Sequence, residues 1–157
     1  MGVKITGSPA ADLVKRQAKA KDEGTRAALT HWWEVELPKH FNPGIEGPLR
    51  YAKRGKKYMQ RKMREYGHQN PLEFSGRSRR AMLTLKPRTQ LDKEGGQLKL
   101  TGLPKHFFIT MGKGAGGKGI TQQPDKVEEA LRLTKGMQHQ IGKAYKKRYQ
   151  EIIEDKT

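Results

Sequence analysis

The sequence predicts an α+β fold: a single domain in which an antiparallel β-sheet is packed by N-terminal and C-terminal helices, with a long glycine-rich loop. Helical periods lie toward both ends of the chain, and strand-like runs, "GQLKLTG" and "HFFITM", lie between them. The run "GKGAGGKG" leaves the second of these. With 157 residues there is room for one modest core and not for two.

The elements are justified in order. Val3 and Ile5 alternate with polar residues, as in a short half-buried strand. Ser8 is a good N-cap and Pro9 suits the first helical position, so a helix is expected through Leu13 and Val14 to about Lys21, with Gly24 kinking or splitting it. A second helical stretch from Thr25 carries Ala28, Leu29, Trp32, Trp33 and Val35 on a wide apolar face, and Pro38 limits its extension. Adjacent tryptophans diverge on a helix: either one is core and the other meets a neighbouring subunit, or both lie at the edge of one core.

From Phe41 to Tyr51 two prolines and two glycines predict an irregular crossing. A basic helix over 54–66 comes next. Leu72 to Phe74 is expected as a short strand, Ser75-Gly76 as a turn, and Arg77, Arg79 and Arg80 on a short helix or turn before the alternating Leu83 and Leu85. Past Pro124 the period of Met137, Ile141, Ala144, Tyr145, Tyr149, Ile152 and Ile153 predicts a closing helix over the sheet, with Thr134 as its cap and Gly136 and Gly142 weakening it. Val127, Leu131 and Leu133 belong to a preceding helical turn or an extended strap. The divisions are therefore 1–36 (strand and helices), 37–85 (basic connecting segment), 82–111 (sheet), 112–124 (loop) and 125–157 (C-terminal helix).

Charge narrows the functional classes. Thirty-three Lys+Arg against 16 Asp+Glu leave a net charge of +17, which opposes compaction unless polyanions or partner subunits absorb it. The absence of cysteine excludes a disulfide framework and a thiolate metal site. The first residues lack a continuous apolar run, and no segment approaches the ~20 apolar residues of a membrane span, so a soluble, unsecreted chain is expected.

The loop tests one kind of chemistry. A phosphate-cradling loop needs G-x-x-x-x-G-K-[ST], because the hydroxyl binds magnesium and a helix follows at once. Gly112, Gly117 and Lys118 fit, but Gly119 stands in place of the hydroxyl and Pro124 precedes any helical period. No nucleotide or other cofactor is expected. His31, His40, His68, His106 and His139 lack metal-ligand spacing and are expected to be polar surface or satisfied histidines. Glu128 and Glu129, like Glu151, Glu154 and Asp155, are expected as ordinary helix-face charges. No nucleophile or carboxylate pair stands with a base, so the sequence predicts no enzyme, no catalytic residues and no metal site.

The candidate contact residues are the cations Arg50, Lys53, Arg54, Lys56, Lys57, Arg61, Lys62 and Arg64, which occur without an intervening acid, joined by Arg77, Arg79 and Arg80. Tyr51, Tyr58, Met59, Met63 and Tyr66 recur among them at near-helical spacing. The pattern predicts tyrosine and methionine laid on apolar surface with the cations outward, toward subunit or DNA contacts. Inter-subunit contacts are the favoured use, since tyrosines suit desolvated protein interfaces. Trp32, Trp33, Phe41, Tyr51, Tyr58 and Phe74 are the aromatic core or interface candidates. Lys113, Gly114, Gly116, Gly117 and Lys118 form a candidate loop arm.

Three phrases carry a resemblance: Leu37, Pro38, His40 and Phe41; then Tyr51, Arg54, Tyr58 and Lys62; then Pro71, Leu72, Phe74 and Gly76. Over roughly residues 30–85 the chain resembles the neck, or tail-completion, proteins that join head to tail in long-tailed bacteriophages, while its ends match in layout only. The resemblance implies a small structural subunit without cofactor that assembles into a ring, hexameric or dodecameric, between portal and tail. It implies copies of itself, portal or connector and tail-tube proteins as partners, packaged DNA in the channel, no membrane, and a place in the virion neck after synthesis in the host cytoplasm. The alternative from another class is a free-standing basic nucleic-acid-binding protein, with cations on phosphates and tyrosines on bases.

Overall fold

The computed structural model describes residues 9–45, 47–51, 54–70, 72, 76–84, 88–92, 95–99 and 126–155. The predicted strands at Val3 and Ile5 and at 106–111, the loop 112–124 with its arm residues, Lys53, Pro71 and Phe74 lie outside them. The described elements are helix-rich with a small two-stranded antiparallel sheet, an α+β composition.

Helix α1 spans Pro9–His31, with Pro9 at its first position and Asp12 near the positive end of its dipole. Gly24 neither kinks nor splits it. The helix runs on through a π-helical turn at Trp32–Glu36, where Leu37 N–H bonds to Trp32 O, and then into α2 at Leu37–Lys39. Pro38 therefore does not end the helical path. It lies in the first turn of α2, where a missing N–H costs least. Trp33 is buried and Trp32 half-buried, so the divergence of the two rings puts one in the core and one at its edge.

The crossing 40–51 is irregular, as composition predicts, and returns Leu49 and Tyr51 to the core. Helix α3 spans Lys56–Tyr66 and α4 spans Arg77–Thr84. Leu83 and Thr84 are thus helical, not strand: Arg, Ala, Met and Leu favour helix, and the Thr84 hydroxyl donates back to Arg80 O at 2.8 Å. Leu72 is a turn residue with φ 57° and not an extended one. Its burial in the core offsets a left-handed backbone that costs a branched residue about 1–2 kcal/mol.

Strands β1 (Arg88–Leu91) and β2 (Gly96–Lys99) pair antiparallel, with Arg88 opposite Lys99 and Leu91 opposite Gly96. The turn is closed by Asp92, whose carboxylate accepts from Gly95 N–H at 2.8 Å. Gly96 presses on α1. A Cβ there would stand 2.7 Å from Thr25 Cγ2 and 2.9 Å from Leu29 Cδ1, so any larger residue would have to push these side chains aside.

Helix α5 covers Lys126–Leu131 and α6 covers Lys135–Glu154, unbroken through Gly136 and Gly142. Thr134 caps α6, its hydroxyl accepting from Met137 N–H at 3.2 Å. Among the described residues the main partner of α6 is α1 and not the sheet. The two run antiparallel: Met137 joins Trp33 in the core, Tyr145 faces Gly24, and Arg148 reaches Glu23. Leu37, Phe41, Leu49 and Leu72 complete that core with Ala130 from α5. Each large apolar side chain fully buried there contributes about 1.5–3 kcal/mol.

Candidate functional site

The core contains an unusual amount of charge. Trp33, Glu36, Leu37, His40 and Phe41 follow the i, i+3, i+4, i+7, i+8 spacing of one helix face, and all five are buried. Glu36 is carried inside with its apolar neighbours and is satisfied there: Lys39 Nζ donates to Oε2 at 2.7 Å, and His31 Nε2 lies 3.3 Å from Oε1. His40 Nδ1 and the Tyr51 hydroxyl are 2.6 Å apart. The other ring nitrogen, Nε2, is buried with no hydrogen-bond partner among the described residues. Burial holds the His40 pKa below the ordinary histidine value, against the opposing pull of the Glu129 backbone carbonyl and the Glu36 carboxylate. His40 is therefore not a surface histidine: it is buried, with Nδ1 satisfied by Tyr51.

Glu129 corrects a second expectation. It is only 1% exposed, not a helix-face charge, and it receives both arms of the Arg54 guanidinium. This fork joins α5 to the segment before α3, 75 residues apart. Arg132 donates to Arg50 O from the same side, and Arg50 itself has φ 53°. Lys62, predicted to point outward, is 2% exposed; its ammonium donates to Asn70 O and stands 5.8 Å from the Tyr58 ring centroid. Burial raises the Tyr58 phenol pKa, with the Arg54 charge working against it. Arg54 and Lys62 are thus structural cations that lock the connecting segment onto the core.

What remains outward is a narrower set. Lys56, Lys57, Arg61 and Arg64 are exposed on α3, with Arg61 Nε donating to Glu65 at 2.8 Å. Arg50, Arg77 and Arg80 are exposed and Arg79 is half-buried. Met63 and Tyr66 are exposed and not laid inward, because the buried side of α3 is centred on Lys62. Of the aromatic candidates, Trp33, Phe41 and Tyr51 are buried, and Trp32 and Tyr58 are half-buried.

Elsewhere an open cleft between α1 and α6 is lined by Arg16, Lys19 and Arg148 against Glu23, Glu151 and Asp155, so its charges balance. Among the described residues no group of His, Asp and Glu is arranged to hold a metal ion, and no helix is long and apolar enough to cross a membrane. No protein-family model, curated protein or solved structure matches the chain.

Proposed function

We propose that this chain is a structural subunit of a bacteriophage neck, a single domain that forms a ring joining the DNA-filled head to the tail, with the 112–124 loop as an arm to a neighbouring subunit, the next ring or the DNA channel. One observation carries the reading. Most described residues of the three neck-like phrases converge on one interior: Leu37, His40, Phe41, Tyr51 and Leu72 are buried, Arg54 and Lys62 are the cations that anchor the segment, and Pro38, Tyr58 and Gly76 are half-buried. Side chains that resemble a family and also build one core support a shared fold more strongly than surface residues would.

Exposed apolar side chains supply ring contacts in this reading. Leu13 and Val14 near the start of α1 are 52% and 64% exposed, and Val35 and Leu131 are also exposed. The test is mass, measured on the purified chain by sedimentation and on purified virions by peptide mass spectrometry. A hexamer or dodecamer, or a stoichiometric virion component, is expected. A monomer at every concentration that is absent from particles overturns the reading, and if it shifts DNA at physiological salt the free-standing nucleic-acid-binding alternative takes its place.

A further inference from the structure

We propose that the outer stripe of α3, formed by Lys56, Lys57, Arg61 and Arg64, is a binding site for the phosphate backbone of duplex DNA. On a helix of 3.6 residues per turn, positions 57, 61 and 64 share one face turned away from the buried Lys62, and Lys56 is exposed in the first turn, about 100° round the helix from Lys57. All four are exposed, and Arg64 is 79% so at its side chain. Among the described residues neither Lys56 nor Lys57 has an ion-pair partner.

Local helix energetics point the same way. The first turn of α3 holds two lysines and no acid, its N-cap is Gly55, and no side chain caps it. Positive charge at the positive end of the helix dipole costs about 0.3–1 kcal/mol, and glycine as the cap gives up a few tenths more relative to serine or aspartate. A local rule broken without internal compensation marks a surface selected for something outside the chain. A bound polyanion would relieve both the lysine repulsion and the uncapped amides.

The occupant follows by exclusion. A second copy offers few acids in return: 16 against 33 cations, with Glu36 and Glu129 buried and Glu23, Glu65 and Glu151 already paired with arginines. A lipid surface needs a wide apolar face of a basic helix free for insertion, whereas α3 offers only Met63 and Tyr66, each less than half exposed, beside a side buried around Lys62. An acidic protein would be expected to meet aromatic or apolar anchors within the contact, and the row of Lys57, Arg61 and Arg64 holds none, the exposed Met63 lying outside it on the far side of Lys56. Single-stranded nucleic acid is held by rings on which bases stack, and no ring lies on this face. A straight row of cations without rings suits duplex phosphates.

The inference does not rest on ring assembly. Its test is fluorescence anisotropy with a short DNA duplex over a salt titration, comparing the full chain with Lys56→Gln/Lys57→Gln/Arg64→Gln and with a charge-matched control, Lys143→Gln/Lys146→Gln/Lys147→Gln, on the exposed face of α6. Three lost phosphate contacts should lower the slope of log affinity against log salt by about 2.7, at about 0.9 per phosphate. The control should keep the wild-type slope. Arg64→Gln alone, which touches no buried group, should lower it by about 0.9 and guards against misfolding of the triple variant. An unchanged slope overturns the proposal, as does an equal fall in the control. Stripe-dependent binding of polyglutamate without DNA binding also overturns it, by assigning the face to an acidic protein. Mass in solution is read separately on the unsubstituted chain, so a monomer whose DNA slope still depends on the stripe counts only against the neck reading.

Discussion

Gly24 of α1 sits against Tyr145 of α6 so closely that a Cβ built on it would lie 2.9 Å from the ring carbon Cε2 and 3.2 Å from the Tyr145 backbone oxygen. The ring can swing aside, but the carbonyl belongs to a helix and cannot. The pair therefore sets the distance at which the two longest helices pack.

Gly24→Ala is accordingly expected to destabilise the fold. Glycine to alanine in an open helix gains about 1 kcal/mol, whereas overpacking costs about 1–3 kcal/mol, so a net loss near 1 kcal/mol is expected. Gly142→Ala is the internal reference, since nothing lies within 4 Å of a Cβ there, and it should gain about 0.5–1 kcal/mol. Urea unfolding of both variants checks the pair. A stabilised Gly24→Ala would mean that α1 and α6 are not held at this separation.

The Arg54–Glu129 fork should be a lock whose halves depend on each other. Removing Arg54 as Ala leaves a carboxylate 1% exposed without its guanidinium, and breaking a buried pair costs about 3–5 kcal/mol. Replacing both partners, Arg54→Met with Glu129→Leu, should recover most of that loss, because apolar groups of similar size need no desolvation. The double-mutant cycle measures the coupling directly. A single-variant loss under about 1 kcal/mol would make this a surface-type pair instead.

Much of the helical skeleton was legible because its signals are local. Ser8-Pro9 marked the start of α1, Thr134 marked α6, and the basic run foretold α3 nearly to its ends. Glu36 and His40 occupy core positions in the spacing from Trp33 to Phe41, but polar residues there carry no mark of burial and Pro38 reads as a stop. The π turn that carries the chain through Pro38 has no sequence mark. Glu129 had none either: its neighbour Leu131 is exposed while it is buried, the reverse of their hydropathies. The partition of the cations could not be seen, because Arg54 and Lys62 are distinguished from Lys57 and Arg64 only by contacts far along the chain.

His40 should make stability fall in acid. Its folded pKa is depressed by burial, so the native protein keeps it neutral while the unfolded chain protonates near the ordinary value of about 6.5. Its contribution is complete above that value and is lost as pH falls below it toward the folded pKa, at no more than about 1.4 kcal/mol per pH unit. Groups facing the ring, Tyr51, Glu36 and the Glu129 carbonyl, keep their identity in His40→Gln, which removes the titration; the altered Tyr51 contact shifts stability at every pH and is read as an offset, not a slope. Urea melts from neutral to mildly acidic pH should show a steeper loss for wild type than for the variant. Parallel slopes would assign the acid sensitivity to carboxylates alone.

Two lysines five positions apart on α3 should respond oppositely to the same charge reversal. Lys57→Glu changes an exposed side chain in the first turn, where an acid suits the helix dipole, so it should leave stability unchanged or raise it by about 0.3–1 kcal/mol. Lys62→Glu places an acid where Lys62 is 2% exposed, facing the carbonyl of Asn70 and the face of the Tyr58 ring, both of which repel a carboxylate. An unpaired buried charge of this kind costs several kcal/mol, enough to unfold a domain of ordinary stability. Lys62→Met separates size from charge: it keeps the stem that packs along the ring, loses one buried hydrogen bond, and should cost only about 1–3 kcal/mol. Circular dichroism and thermal unfolding rank the three. Equal behaviour of Lys57→Glu and Lys62→Glu would return Lys62 to the surface and restore the cations of α3 to a single outward set.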